Sequence, residues 1–282
     1  MSGAPSARGS GSRFVDTSSV QGSRSSAMRR ALPEVARWGR PLAVGLTVLF
    51  TAIGLVIFQA AMAGVGQQVV GLDIGHYLEA TRRWTETGTP YVASQLTAPF
   101  QLVDPATFLH PPIALYLFAP FLVLPVVLWW VIPIGIVAWT IAAWRPAYWS
   151  WPIIAAILAL SRFHVPLIVG NSDLWVWAAI AAGLRIGGPA ILVVVKPSLY
   201  PFIAIGIRRK SWWITALLVA FAAIPFGTLW LDWMSVIRNA PIDLRYSLID
   251  VPWLLVPILA WLARTRPSRM TLTIPYPRAG GR

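Results

Sequence analysis

The stretch PLAVGLTVLFTAIGLVIFQAAMA, residues 41–63, decides the class of this protein. It has no charged side chain and would be about 34 Å long as an α-helix, enough to cross the hydrocarbon core of a membrane. Its end, Ala61-Met62-Ala63, resembles a signal-peptidase site, but the apolar run is longer than that of a typical signal peptide. We therefore predict an uncleaved first crossing, with cleavage as the alternative.

The composition of the whole chain agrees with this beginning. Of the 282 residues, 57% are hydrophobic and 12% are charged, whereas a soluble domain carries roughly 25% charged residues. The 16 Trp and 24 Pro suit membrane helices and their interfaces. The absence of Cys excludes disulfides, thiolate metal sites and cysteine nucleophiles. We predict an all-α, polytopic transmembrane helical bundle.

Seven more apolar stretches predict about eight crossings in a transmembrane domain of residues 41–264. We place them near residues 111–124, 126–144, 146–162, 171–186, 188–207, 211–231 and 251–263. Residues 105–144 lack Asp, Glu, Lys and Arg, a run too long for one crossing, and Leu124-Pro125 is its natural break. Residues 1–40 are predicted to be a disordered basic tail and residues 265–282 a second tail.

The net charge of +13 reflects membrane topology rather than nucleic-acid binding. With a cytoplasmic N-terminus, sixteen Lys and Arg fall on cytoplasmic segments and six on external ones, as the positive-inside rule requires. We therefore predict a multi-pass protein of the cell membrane with both termini in the cytoplasm. The external loops would be about 64–109 and 232–250, and the basic segments would meet membrane lipids.

The first external loop contains the leading candidate for chemistry, Asp73, in the stretch Leu72-Asp73-Ile74-Gly75-His76-Tyr77. Apolar residues recur near helical spacing from Ile74 to Trp84, which predicts an amphipathic helix lying on the membrane. Gly88-Thr89-Pro90 would end this helix. The alternative role for Asp73 is that of a helix N-cap.

Two other motifs are candidates for binding a phosphate. His110-Pro111-Pro112 opens the predicted second crossing, where a helix N-terminus favours an anion and His110 would be an additional donor. Alternatively, the prolines only set the angle of the helix. Lys196 lies inside a predicted span, which makes it a functional candidate by default. It would either extend outward to a phosphate or pair with Asp173 in the Gly170-Asn171-Ser172-Asp173 turn, which we place on the cytoplasmic side without a chemical role.

With these residues in place, the chain resembles the polytopic membrane glycosyltransferases of the GT-C type. It is most similar to family 87, the polyprenol-phosphate-mannose-dependent mannosyltransferases. The resemblance covers roughly residues 41–231 and is carried by Asp73–Tyr77, Gly88–Tyr91, Phe108–Pro112 with Ala119-Pro120 and Leu124-Pro125, Gly170-Asn171, and Lys196-Pro197. The chain departs from the family pattern at His110 and Asn171 and is shorter at its C-terminus.

The resemblance implies transfer of a hexose, mannose in the family, from a polyprenyl-phosphate sugar donor to an extracytoplasmic lipid or glycan acceptor. It implies that Asp73 is the general base, that Lys196, His110 and Arg245 bind the donor phosphate, and that His76 and Tyr77 bind substrate. No cofactor or metal is implied, and the chain has no Asp-x-Asp pair. The alternatives are a non-catalytic relative that binds a polyprenyl-phosphate lipid or a partner chain, and a small transporter.

Overall fold

The protein is helical throughout the residues that the computed structural model describes, which are 18–65, 69–100, 107–241 and 251–265. Outside the helices, these residues form one isolated β-bridge, between Pro146 and Arg264. The α-helices are α1 (Ser18–Val65), α2 (Leu72–Thr87), α3 (Ala93–Thr97), α4 (Leu115–Phe118), α5 (Leu128–Trp144), α6 (Ser150–Leu158), α7 (Ser161–Val169), α8 (Asp173–Ile186), α9 (Lys210–Ala223), α10 (Leu229–Asn239) and α11 (Val251–Leu262). The 3₁₀ segments are Pro112–Ala114, Ala119–Leu122, Gly188–Val195, Pro197–Ala204 and Ile224–Phe226. The all-α class is therefore confirmed.

Helix α1 contains the apolar stretch that decides the class of the protein. Within the described residues, Trp38–Gly64 is the one helix long and apolar enough to cross a membrane, and up to three qualify when each bent helix pair counts as one span. Only 11% of its most apolar window is buried, so most of its apolar surface is not covered by the rest of the described chain. The helix begins at Ser18, inside the stretch predicted to be disordered, because Met28–Leu32 consists of good helix formers. Residues 1–17 lie outside the described residues.

Contacts between the helices define two ends of the bundle. At one end, the Ala147 N–H donates to the Ala263 carbonyl at 2.8 Å, and Arg40 lies over the ring of Tyr148. We call this the basic end. At the other end, the Gly71 N–H donates to the Ile168 carbonyl at 2.9 Å. We call this the polar end, and it is where α2, α5 and α8 begin and where α7 ends.

Residues 111–124, predicted to be a crossing, do not traverse the bundle. They form three short helical pieces from Pro112 to Leu122, about 16 Å in length at a helical rise. They stay at the polar end, since Tyr77 contacts both His110, before them, and Trp129, after them. Prolines interrupt the backbone hydrogen bonding of this segment at positions 111, 112, 120 and 125, which prevents one continuous helix.

The predicted crossing at 188–207 is also wrong, because this stretch makes two passes instead of one. Gly188–Val195 runs toward the polar end, and Pro197–Ala204 returns after a reversal at Lys196. The return is complete at Gly206, where an added Cβ would lie 2.5 Å from the Gly187 Cα. Pro197 ends the first segment because it has no N–H to continue the helix.

The predicted crossing at 211–231 ends early. Helix α9 stops at Ala223, and α10 follows at an angle of 91° to it, after a break that contains Pro225 and Gly227. Helix α11 lies close to the predicted eighth crossing. Within the described residues, eight passes join the two ends: α1, α5, α6 with α7, α8, the segments Gly188–Val195 and Pro197–Ala204, α9 and α11.

The core is built around α8. Leu174, Val176, Ile180 and Ala181 on this helix are fully buried, and α5, α11 and the Gly188–Val195 segment pack against it. At the polar end the core becomes aromatic, where Trp129 contacts Phe118, Phe121 and Trp175. The polar residues of the candidate functional site pack against this aromatic layer.

Candidate functional site

Asp73 lies in the first turn of α2 and faces the turn that joins α7 to α8. Its Oδ2 accepts a hydrogen bond of 2.6 Å from the Asn171 side-chain amide. The N-cap of α2 is Gly71, in the left-handed conformation, and no side chain caps the helix. The alternative role of Asp73 as an N-cap is therefore wrong, and its carboxylate makes a tertiary contact instead.

Asn171 is fixed from several directions. Its backbone N–H donates to the Pro166 carbonyl at 2.9 Å, and its Oδ1 accepts from the Asp173 N–H at 3.0 Å. The preceding residue, Gly170, ends α7 with a positive φ of 74°. The side-chain amide therefore bridges the Asp73 carboxylate and the N-terminus of α8.

The environment of Asp73 raises the pKa of its carboxyl group above 3.8. Burial is the largest cause, because it disfavours the charged form. The Asn171 hydrogen bond and the electrostatic interactions with His76 and Lys196 oppose this shift. A carboxylate in such a site is a better proton acceptor near neutral pH than a solvated one.

Lys196 forms an ion pair with Asp173, the partner that was our alternative for this lysine. The Asp173 side chain is fully buried and that of Lys196 is 17% exposed. We predicted that the turn that holds Asp173 lies at the opposite end from Asp73, and the structure contradicts that separation. Because residues 111–124 do not traverse the bundle, the next three passes, α5, α6 with α7, and α8, run opposite to the predicted direction, and the turn meets Asp73.

His110 is held as a neutral ring. Its Nδ1 donates to the Val195 carbonyl at 2.9 Å, so Nε2 is the acceptor and lies 3.5 Å from the Ser172 Oγ. Burial, and secondarily the charge of Lys196, lowers the pKa of His110 to about 4 against the opposing Val195 hydrogen bond. The N–H of this neutral ring is already bonded to Val195, so the predicted donation from His110 to a phosphate would require a second proton on Nε2.

The loop that carries His110 is held by the outer helices. The Tyr91 hydroxyl donates to the His110 carbonyl at 3.0 Å, and the Trp233 indole donates to the Leu109 carbonyl at 3.0 Å. The buried Gln95 bonds both the N–H and the carbonyl of Phe108. Helices α3 and α10 thus determine where His110 lies.

The other predicted site residues differ in their surroundings. Tyr77 is buried in the core, with its ring 4.6 Å from that of Phe118 and its hydroxyl paired with Ser172. His76 is half-buried and within electrostatic range of Asp73. Arg245 lies outside the described residues.

The structure thus brings together a polar cluster of seven residues at the polar end. It consists of Asp73, His76, His110, Asn171, Ser172, Asp173 and Lys196. Sequence reasoning missed Asn171 and Ser172. The signal was present as a four-residue polar turn between two apolar helices, but the predicted topology put that turn at the opposite end.

A separate apolar cavity of about 470 Å³ lies between α1 and the α6–α7 pair. Its lining is apolar except for Thr47, Thr51 and His164. No residue of the polar cluster lines it, so this cavity is not a substrate chamber for Asp73. It lies beside α1, the helix whose apolar surface is mostly uncovered.

Comparison with known proteins adds no relative to this description. No protein family, curated protein or solved structure matches the chain.

Proposed function

We propose that this protein is an integral membrane glycosyltransferase that moves a hexose from a polyprenyl-phosphate sugar to an extracytoplasmic acceptor, as the family 87 resemblance implies. The observation that carries the proposal is the contact between Asp73 and Asn171, with Lys196 nearby. Three stretches far apart in sequence bring a buried carboxylate, an amide that orients it and a lysine to one end of an apolar bundle. In sugar transfer from a lipid phosphate, the carboxylate would accept the proton of the acceptor hydroxyl, and the lysine would bind the phosphate of the donor.

In this mechanism Asp73 is the general base. Asn171 binds Oδ2, and we assign the other oxygen, Oδ1, to the acceptor hydroxyl. The acceptor oxygen forms a bond to the anomeric carbon as its proton passes to Asp73. The bond from the anomeric carbon to the phosphate oxygen breaks, and its electron pair leaves with the polyprenyl phosphate. The raised pKa of Asp73 favours its acceptance of the proton.

Lys196 is the residue we assign to the donor phosphate. Its ammonium group carries three N–H donors on a flexible stem, and Asp173 fixes its position. It lies within electrostatic range of Asp73, so a phosphate bound to it would stand beside the base. Positive charge at this position stabilises the negative charge that grows on the leaving phosphate.

We propose that the polar end faces outward and that the eight passes cross the membrane, with both termini in the cytoplasm. The described basic residues support this orientation. Arg145 and Arg185, which we predicted to be external, lie at the same end as Arg40 and Arg208–Lys210. The cytoplasmic excess of positive charge is therefore larger in this arrangement than in the one predicted from sequence.

The test is transfer of labelled hexose from polyprenyl-phosphate hexose in membranes that contain wild-type protein or Asp73→Asn. We expect Asp73→Asn to lose at least about a hundredfold in rate while it retains a photoreactive polyprenyl phosphate. Glu86→Gln is the matched control, because Glu86 is exposed at the end of the same helix and should keep full activity. Undiminished transfer by Asp73→Asn would overturn the proposal.

One pair of observations favours a second candidate, a non-catalytic protein that binds a polyprenyl-phosphate lipid. The apolar cavity beside α1 offers space for a lipid chain, and no residue of the polar cluster lines it. Wild-type protein that retains the photoreactive lipid but transfers no sugar, across donors and acceptors, would establish this candidate.

A further inference from the structure

The described charges are divided between the two ends of the bundle. From residue 38 onward, where the side chains of the first helix are described, five acidic side chains are described and all lie at the polar end: Asp73, Glu79, Glu86, Asp173 and Asp232. The basic end holds seven described cations and none of these acids. They are Arg40, Arg145, Arg185, Arg208, Arg209, Lys210 and Arg264.

Four of these seven cations are exposed: Arg40, Arg145, Arg208 and Lys210. We call these four residues the basic rim. The other three are turned to local contacts. Arg185 lies over Trp139 at 4.0 Å, Arg264 lies over Trp261 at 4.3 Å, and Arg209 donates to the Leu184 and Arg185 carbonyls at the end of α8. Among the side chains described from residue 38 onward, no carboxylate lies at this end to neutralise the positive charge of the basic rim.

Exposed aromatic residues surround the basic rim. They are Trp38, Tyr148, Trp149, Trp151 and Trp213, each between 39% and 67% exposed. Directly next to them, α1 exposes Leu42 and Val44. Tryptophan and tyrosine between basic and apolar surface are typical of the boundary between lipid headgroups and acyl chains. This arrangement fits a lipid surface, because an acidic protein or nucleic acid would gain nothing from the adjoining apolar belt.

We propose that the basic rim is a binding surface for anionic phospholipid headgroups. The guanidinium groups would bind headgroup phosphates, and the aromatic residues would hold the bundle at the depth where this contact forms. This surface lies at the opposite end from the polar cluster, so the proposal does not depend on sugar transfer.

The experiment uses the full-length protein, reconstituted in vesicles of equal parts phosphatidylglycerol and phosphatidylcholine. The lipids that stay bound on gentle extraction are counted by native mass spectrometry. We expect phosphatidylglycerol to be enriched at least about fivefold over phosphatidylcholine, and the enrichment to fall with added salt. Binding of both lipids in the proportion supplied would overturn the proposal.

Two sets of variants identify the surface. Replacement of the four rim residues by Gln should abolish the enrichment, whereas Arg82→Gln with Arg238→Gln, at the polar end, should leave it unchanged. Replacement of the three rim arginines by Lys keeps the charge and should keep the enrichment even if the Gln variant folds poorly. Equal enrichment in the Gln variant, or its loss in the Lys variant, would show that another surface or another chemistry is responsible.

Discussion

At the residue scale, Asp73 combines a buried carboxylate with a single oriented hydrogen bond. Because burial raises its pKa above 3.8, the base should be protonated over a wider acidic range than a solvated aspartate. We predict that the transfer rate rises with pH and reaches half of its maximum above pH 3.8. A pH–rate profile of wild-type protein in vesicles measures this, and a rate that falls as pH rises through the acidic range would contradict it.

Asn171 provides a sharper test of the same contact. Its hydrogen bond favours the charged form of Asp73, so Asn171→Leu should raise the pKa of the base further. The acidic limb of the pH–rate profile should therefore move to higher pH. Asn171→Gln keeps the side-chain amide, so its profile should move less than that of Asn171→Leu. A general loss of activity with an unmoved profile would indicate that Asn171 only maintains the fold.

His110 should make the fold sensitive to acid. Its pKa in the folded protein is about 4, below the unfolded value of roughly 6.5, so the unfolded chain binds the proton more tightly. The stability from this residue is complete above pH 6.5 and is lost as pH falls toward 4. The melting temperature of the wild-type protein should fall as the pH is lowered from 6.5 to 4. We predict that this fall is about 5 °C smaller in His110→Asn. Thermal unfolding in detergent at several pH values measures the difference, and parallel wild-type and variant curves would contradict it.

Residue-level features were predictable from sequence only where they depend on near neighbours. The burial of Ile74 and Tyr77 follows from their spacing along α2, and Gly88 does end that helix, with a φ of 83°. The Asp73–Asn171 contact joins residues 98 positions apart. Its prediction requires the path of every pass between them, and one misjudged segment was enough to separate the two residues.

At the element scale, the α7–α8 turn depends on Gly170. Its φ is positive, and an added Cβ would lie 2.9 Å from the Trp130 ring and 3.0 Å from the Ile74 Cγ2. Gly88 has a similar φ of 83° but open space around it. We predict that Gly88→Ala costs about 1–2 kcal/mol and that Gly170→Ala costs at least 1 kcal/mol more because of overpacking.

Unfolding of the two glycine variants, measured side by side in the same detergent, tests this prediction. Both variants have the backbone strain of an alanine with positive φ, but only Gly170→Ala also has the steric clash. The difference between their free energies of unfolding therefore measures the cost of the clash. Equal destabilisation would mean that Trp130 and Ile74 move aside freely. In that case the turn would be less firmly held than its contacts indicate.

The element predictions failed at the prolines. Residues 111–124 and 188–207 are apolar enough to cross a membrane, and hydropathy alone indicates one helix in each. Their prolines divide the first into short turns and the second into two 3₁₀ segments. Composition fixes which residues avoid water, but it does not fix whether an interrupted apolar segment continues or turns back.

At the scale of the whole molecule, the proposed orientation can be tested because the chain has no cysteine. Single cysteines at Tyr148, at the basic end, and at Glu86, at the polar end, give two positions that a membrane-impermeant thiol reagent can distinguish. We predict labelling of Glu86→Cys in intact cells and labelling of Tyr148→Cys only after permeabilisation. The topology predicted from sequence places the loop near Arg145 outside, so early labelling of Tyr148→Cys would favour it over the structure.

If the eight passes cross the membrane as we propose, the two 3₁₀ segments have a consequence for the surrounding bilayer. Each contains eight residues and is roughly 16 Å long at a rise of about 2.0 Å per residue, whereas a typical hydrocarbon core is about 30 Å thick. Such a mismatch in length is relieved when the bilayer becomes thinner beside the protein. Short-chain phospholipids should therefore surround this side of the bundle preferentially.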